Sequence, residues 1–125
     1  MARVYVTREL PGGAIERLRA AHDVDVWEED RAVPRDELVA RARSSEALLT
    51  MLTERVDADL LSSAPGLRAI ANYAVGTDNI DLDAATAAGI PVGNTPDVLT
   101  DATADLAFAL LLAAARRLPE AAAAV

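Results

Sequence analysis

Cysteine is absent from the 125 residues, which excludes disulfides, thiol nucleophiles and cysteine-ligated metals. Lysine is absent too. All 12 basic residues are arginine, so Schiff-base chemistry and a phosphate-loop lysine are excluded. Imidazole chemistry is confined to one position, His22. Aromatic residues make up only 3% of a chain that is 52% hydrophobic, so alanine, leucine and valine must fill the interior. Positive charge is in short supply: the net charge is -8 and the pI ≈ 4.5, which argues against nucleic acid or an anionic membrane as partner. Long hydrophobic runs are missing as well. The longest, residues 106–115, is about half of what a membrane span needs. The amino terminus, Met1-Ala-Arg-Val-Tyr-Val-Thr7, alternates as a strand does and lacks the apolar centre of a signal peptide. The expected location is the cytoplasm.

What is present alternates strand and helix. Residues 3–7 read as a strand, Pro11-Gly12-Gly13 breaks it, and residues 14–21 place Ile15, Leu18 and Ala21 on one helical face. Residues 24–27 alternate apolar and polar as a half-buried strand. Pro34 opens a helix to Arg43, with Asp36 and Glu37 in its first turn and Arg41 and Arg43 in its last, a polarity that complements the helix dipole. Residues 47–52 form a short apolar run suited to a buried parallel strand. Asp57 is placed to cap a short helix ending before Pro65-Gly66. Residues 67–73 read as a fourth strand, residues 83–88 as a helix closed by a left-handed Gly89, and residues 90–92 as an edge strand. Thr100 or Asp101 is expected to cap a last helix running to about Arg117 and stopped by Pro119. Repeated strand–helix units predict an α/β fold, a flavodoxin-like parallel sheet with helices on both faces. The last helix is unusual: from Ala102 to Ala115 its polar residues are only Thr103 and Asp105. A helix apolar on all sides needs burial on all sides.

In open α/β sheets ligands bind outside the carboxyl ends of the strands. Two such ends draw notice, Leu52-Thr-Glu-Arg55 after the third strand and Ala74-Val-Gly-Thr77 after the fourth. Gly76 permits a backbone that turns successive N–H groups toward one point, where a carboxylate could be held. The same glycine could equally be a plain turn. Asp78-Asn-Ile-Asp-Leu-Asp83 lacks the alternate spacing and central glycine of a calcium loop, and no G-x-G-x-x-G occurs anywhere. A response-regulator receiver has this size and fold, but it requires an Asp after the third strand and a lysine after the fifth. Here the third strand ends Met51-Leu-Thr53 and lysine is absent.

The block Asn72-Tyr-Ala-Val-Gly-Thr-Asp-Asn-Ile-Asp81, with Asn94-Thr-Pro-Asp-Val-Leu-Thr-Asp-Ala-Thr-Ala-Asp105 and on to Phe108, closely resembles the NAD(P)-dependent D-isomer-specific 2-hydroxyacid dehydrogenases. The glyoxylate/hydroxypyruvate reductase branch is the nearest in wording, with D-3-phosphoglycerate and 2-ketogluconate oxidoreductases as near relatives. The resemblance covers the whole chain loosely and residues 51–117 tightly. It implies reversible hydride transfer between NAD or NADP and a small 2-keto or 2-hydroxy acid. It implies that Val75 and Gly76 offer main-chain donors to the substrate carboxylate, that Leu52 contacts the small substrate, and that Thr103 contacts the cofactor near its nicotinamide. Without it, Thr103 reads as a first-turn hydroxyl capping its own helix. Asp78 and Asp81 are expected to fix the loop and cap the next helix, and Asn94-Thr-Pro96 to lead across into the last helix.

The resemblance further implies residues 1–100 as the N-terminal part of a substrate-binding domain. Residues 101–125 are then an interdomain helix leading to a Rossmann domain, in a protein that is a homodimer at full length. That family's cofactor loop and its catalytic histidine, glutamate and arginine fall beyond residue 125. No catalytic residue and no metal ligand is therefore assigned, and His22, at a helix end with no matching motif, reads as an ordinary histidine. Three arrangements stay open: a piece of a reductase, one half of a split enzyme, or a stand-alone flavodoxin-like binding module without catalysis. The ending Glu120-Ala-Ala-Ala-Ala-Val125 favours the first.

Overall fold

The computed structural model describes residues 1–124, in two compact units that divide between Thr95 and Pro96. In the first unit, β1 (Arg3–Val6), β2 (Asp23–Val26), β3 (Ala47–Thr50), β4 (Ala69–Asn72) and β5 (Val92–Gly93) form one sheet. Its order is β2-β1-β3-β4-β5 and every neighbouring pair is parallel. The joining helices are α1 (Ala14–Arg19), α2 (Arg35–Arg43), α3 (Ala58–Ser63) and α4 (Leu82–Ala87). A parallel pair cannot be closed by a hairpin, so each connection needs a crossover, and these helices supply them.

Side-chain alternation along the strands sorts the core into two layers. Tyr5, Leu48 and Ile70 point to one face, where Leu38 and Ala42 of α2, Leu60 and Leu61 of α3 and Ala85 of α4 pack on them. Val4, Val6, Ala47 and Leu49 point to the other, against Ala14, Ile15 and Leu18 of α1. Helices therefore lie on both faces, as a doubly wound sheet requires.

Local signals set most element ends. Asp57 accepts the Leu60 N–H (3.1 Å) and Asp81 the Ala84 N–H (2.9 Å), capping α3 and α4. Gly89, at φ +69, ends α4 in the left-handed conformation expected of a glycine there. Pro34 is the N-cap of α2 rather than its first residue. Gly13 starts α1 with φ 73, where a side chain would be strained. At the sheet edge, Asp25 of β2 receives Arg41 of α2 (2.7 Å), and the Arg41 guanidinium also lies over the rings of Tyr5 and Trp27, 5.4 and 5.5 Å from their centroids.

The second unit holds α5 (Thr100–Ala115) and α6 (Leu118–Ala123). Neither Thr100 nor Asp101 caps α5. The chain turns through Asp97, at φ 63, and Leu99 takes the N-cap position with no side-chain hydrogen bond. Pro119 does more than stop a helix: Arg117 adopts a left-handed conformation (φ 52) and the proline sits in the first turn of α6, where its missing N–H costs nothing. Leu106, Phe108, Leu110, Leu111 and Leu112 of α5 are all exposed. Among the described residues no helix is long and apolar enough to cross a membrane.

Tyr5 is fully buried and no described residue accepts or donates a hydrogen bond at its hydroxyl. Burial disfavours the phenolate and pushes the phenol up from 10.0 to about 12, against the pull of Arg41. The unfolded chain therefore releases this proton first. The contribution is complete below pH 10 and is lost as the pH rises to about 12. Urea unfolding followed at rising pH should show a midpoint falling across that window, and Tyr5→Phe should remove that part of the fall.

Candidate functional site

The strand order fixes where an opening can form. All five strands run the same way, and the order reverses between β1 and β3, the place where a doubly wound sheet generally leaves a ligand crevice. In this chain a side chain fills that crevice. Glu54, in the loop after β3, is 2% exposed. Its carboxylate accepts the Thr7 hydroxyl (2.9 Å), the Thr53 hydroxyl (2.8 Å), the Met51 N–H (3.1 Å) and, more weakly, the Val33 N–H (3.4 Å). No described arginine pairs with it, so these neutral donors must replace the water it has lost. Glu54 thus ties the end of β1, the stretch before α2 and the end of β3 to one point.

The open surface lies one strand over, between the loops after β3 and β4. These loops run side by side: Val56 and Ile80 form an isolated parallel bridge, with the Val56 N–H on the Asn79 carbonyl (2.8 Å) and the Asp81 N–H on the Val56 carbonyl (2.8 Å). Asn79 holds them together. Its Nδ2 donates to the carbonyls of Met51 and Glu54 (3.0 Å each), and its Oδ1 accepts from Asn72 Nδ2 (2.9 Å). Asn72, itself buried, donates its second amide hydrogen to the Gly76 carbonyl (2.9 Å). Carbonyl oxygens only accept, so this set of partners fixes how both amides are turned.

A groove of about 450 Å³ opens beside this clamp, lined among others by Leu52, Thr53, Arg55, Asp57, Asp78 and Asp81. Burial works against the Asp57 carboxylate, yet hydrogen bonds from Arg35 and from the Leu60 N–H hold it below the usual range.

The chain from Ala74 to Thr77 has an unusual hydrogen-bond account. Three successive carbonyls are engaged: Ala74 by the Thr95 N–H (3.0 Å), Val75 by Asn94 Nδ2 (2.7 Å) and Gly76 by Asn72. The N–H groups of Val75, Gly76 and Thr77 meet no acceptor among the described residues. Free main-chain donors on an exposed loop suit an anion held by dipoles, without a paired cation.

Leu52 lies on the loop after β3 and Val75 and Gly76 on the loop after the adjacent β4, all three exposed, Leu52 at 68%. Thr103 does not join them in one unit: it lies in α5, exposed, with its N–H on the Leu99 carbonyl (2.9 Å). Its hydroxyl does not cap the helix. Gly76 departs from expectation. It does not take the left-handed conformation, and a Cβ there would meet only Asp78 Oδ2 at an ordinary 3.7 Å. The neighbouring carbonyl ties turn the loop, so the glycine's conformational freedom is not what shapes it. Asp78 receives no hydrogen bond from a described residue, and the loop-fixing role expected of it belongs to Asn72 and Asn79. His22 accepts weakly from the Ala2 N–H (3.4 Å) at the start of β2, the opposite edge of the sheet from the strand carboxyl ends. Among the described residues no group of three or more His, Asp or Glu could hold a metal.

Removing the Asn79 amide leaves the Glu54 carbonyl without a donor among the described residues and the Met51 carbonyl with only the longer contacts from the Glu54 N–H (3.3 Å) and the Thr50 hydroxyl (3.4 Å). Asn79→Ala should therefore lower stability by about 2–4 kcal/mol, read from urea unfolding of the purified chain. A midpoint equal to that of the parent would show that the clamp is not what holds the two loops.

Comparison with known proteins matches this geometry to a family. Residues 4–125 match the model of the D-isomer specific 2-hydroxyacid dehydrogenase catalytic domain. The glyoxylate reductase of Thermococcus kodakarensis is 56% identical over 119 residues, and that of Aeropyrum pernix 54% over the same length. In each case the match covers 95% of this chain and 36% of the relative. The chain thus spans little more than a third of these relatives. A solved protein of Thermus thermophilus superposes with a TM-score of 0.88 at 48% identity, over 97% of this chain and 39% of that one. The NADPH-dependent glyoxylate/hydroxypyruvate reductase of Sinorhizobium meliloti, solved with citrate, gives 0.72 at 32% identity, over 96% and 37%. With the match running through nearly the whole chain, it belongs to the D-isomer specific 2-hydroxyacid dehydrogenase family and represents a stretch of that family's catalytic domain.

Proposed function

We propose that this chain is the substrate-binding part of an NAD(P)-dependent reductase of a small 2-keto acid, glyoxylate or hydroxypyruvate first. The observation that carries the reading is the run of unengaged N–H groups at Val75 and Gly76, in a chain whose relatives at 54–56% identity are glyoxylate reductases. In this reading those two N–H groups donate hydrogen bonds to the substrate carboxylate, and Leu52, from the neighbouring loop, packs on its short carbon chain. The donors are neutral and the chain is strongly acidic, so the anion is held by oriented dipoles at short range and not by net charge.

The residues present do not hold a dinucleotide. Left-handed glycines precede α1 at Gly12 and Gly13, but that helix has six residues and the third glycine of a dinucleotide fingerprint is lacking. Thr103 offers one exposed hydroxyl, which we assign to the nicotinamide side of NAD or NADP bound mainly by other polypeptide. Residues 1–100 are then the substrate domain, and residues 101–125, which carry the apolar α5 and then α6, the connection that leads to the nucleotide-binding domain of a cytoplasmic, homodimeric enzyme. By itself the 125-residue chain should not oxidise NADH or NADPH in the presence of glyoxylate; steady turnover would overturn that expectation.

Binding can be tested without turnover. Glyoxylate added to the ¹⁵N-labelled chain should shift the Val75 and Gly76 amide resonances saturably, whereas uncharged glycolaldehyde should not. Shifts confined to arginine side chains would contradict the assignment. The exposed apolar surface of α5 carries a further expectation: the chain should self-associate in sedimentation and bind a hydrophobic dye. A monomer that binds no dye would count against α5 as a helix meant to be covered.

A further inference from the structure

We propose that Asn94 and Asn72 are positioning residues that aim the main-chain donors of the Val75–Thr77 loop, an inference that rests on the carboxylate reading of that loop. A trans peptide is planar, with its C=O and the next residue's N–H pointing in opposite directions. Holding one end of a peptide plane therefore fixes the other. Asn94 Nδ2 holds the Val75 carbonyl at 2.7 Å, which sets the direction of the Gly76 N–H. Asn72 Nδ2 holds the Gly76 carbonyl at 2.9 Å, which sets the Thr77 N–H. Gly76 is thus fixed through both of its peptide planes by side-chain amides reaching from β4 and from the residue just after β5.

The residue type matters. An asparagine amide is a neutral donor on a short stem. An aspartate of the same shape would offer no hydrogen to the carbonyl and would put a negative charge beside the anion's place. The two asparagines also differ in a useful way. Asn72 is buried and belongs to the clamp with Asn79, so changing it disturbs the interior. Asn94 is exposed, and its side chain makes one hydrogen bond among the described residues, the one to Val75. A change at Asn94 releases the donor with little else altered.

The test uses the ¹⁵N-labelled chain, weakly aligned, and its Asn94→Ala and Asn94→Ser variants. N–H residual dipolar couplings report the direction of each amide without any ligand. In Asn94→Ala the Gly76 coupling should depart from its parent value while those of β1 and β3 stay, and thermal melting should be unchanged. The glyoxylate dissociation constant should rise about tenfold, the scale of one lost hydrogen-bond preorganisation. Asn94→Ser keeps a hydroxyl donor and should recover part of both effects. An unchanged Gly76 coupling overturns the proposal, whatever happens to affinity, since Asn94 would then act by touching the ligand or not at all. A changed coupling with unchanged affinity overturns it too. A parent chain that gives no saturable glyoxylate response refutes the carboxylate reading, and the couplings alone then decide whether Asn94 orients the loop.

Discussion

The side-chain amide of Asn79 is the contact on which the candidate site depends. Two loops leave the sheet at adjacent strand ends, and nothing in parallel-sheet geometry obliges them to stay together once the ladder stops. Asn79 bonds the carbonyls of Met51 and Glu54 on one loop, and through Asn72 it reaches the Gly76 carbonyl on its own. The Val56–Ile80 bridge beside it extends the pairing beyond β3 and β4. The loops after β3 and β4 thus behave as a continuation of the sheet, with amides in place of ladder bonds.

That continuation has a consequence for where chemistry can occur. The switch point between β1 and β3, which a doubly wound fold commonly offers to ligands, is closed by Glu54 and its four donors. The unengaged main-chain donors are displaced to the β4 loop, where three carbonyls in succession are already committed. A chain with net charge -8 repels a small carboxylate at a distance, so a site built from it must rely on contact. Oriented N–H groups act at that range. The exposed α5, apolar almost throughout, belongs to a separate unit and to a different requirement, that of being covered.

Much of the sheet was legible because its signals are local. Asp57, Asp81 and Gly89 terminate helices through contacts within a few residues, and the alternating strands show their buried faces directly. The loops carrying Leu52, Val75 and Gly76 follow β3 and β4 as their strand-end positions in the sequence indicate. What the sequence hid is long-range or compensatory. Glu54 appears in the sequence only as part of the Leu52–Arg55 strand end, and its burial follows from Thr7, Val33 and Met51 being brought around it from three separate segments. Asn94 reads as part of a crossover, and its bond to Val75, 19 residues away, has no periodicity to reveal it. Gly76 invited an explanation from backbone freedom that its conformation does not use. At the other end, Leu99 displaced Thr100 as the cap of α5 because the preceding turn at Asp97 sets the phase.

In the proposed reading the β4 loop presents its free N–H groups to a carboxylate while the amide clamp keeps the neighbouring loop in register. A crystal structure of the chain soaked with oxalate, a non-reactive carboxylate analogue, tests it most directly. A carboxylate oxygen should lie within about 3 Å of the Gly76 nitrogen, with the Asn94–Val75 and Asn72–Gly76 bonds intact. Oxalate seated instead on arginine side chains, with the Val75–Thr77 loop left bare, would contradict it.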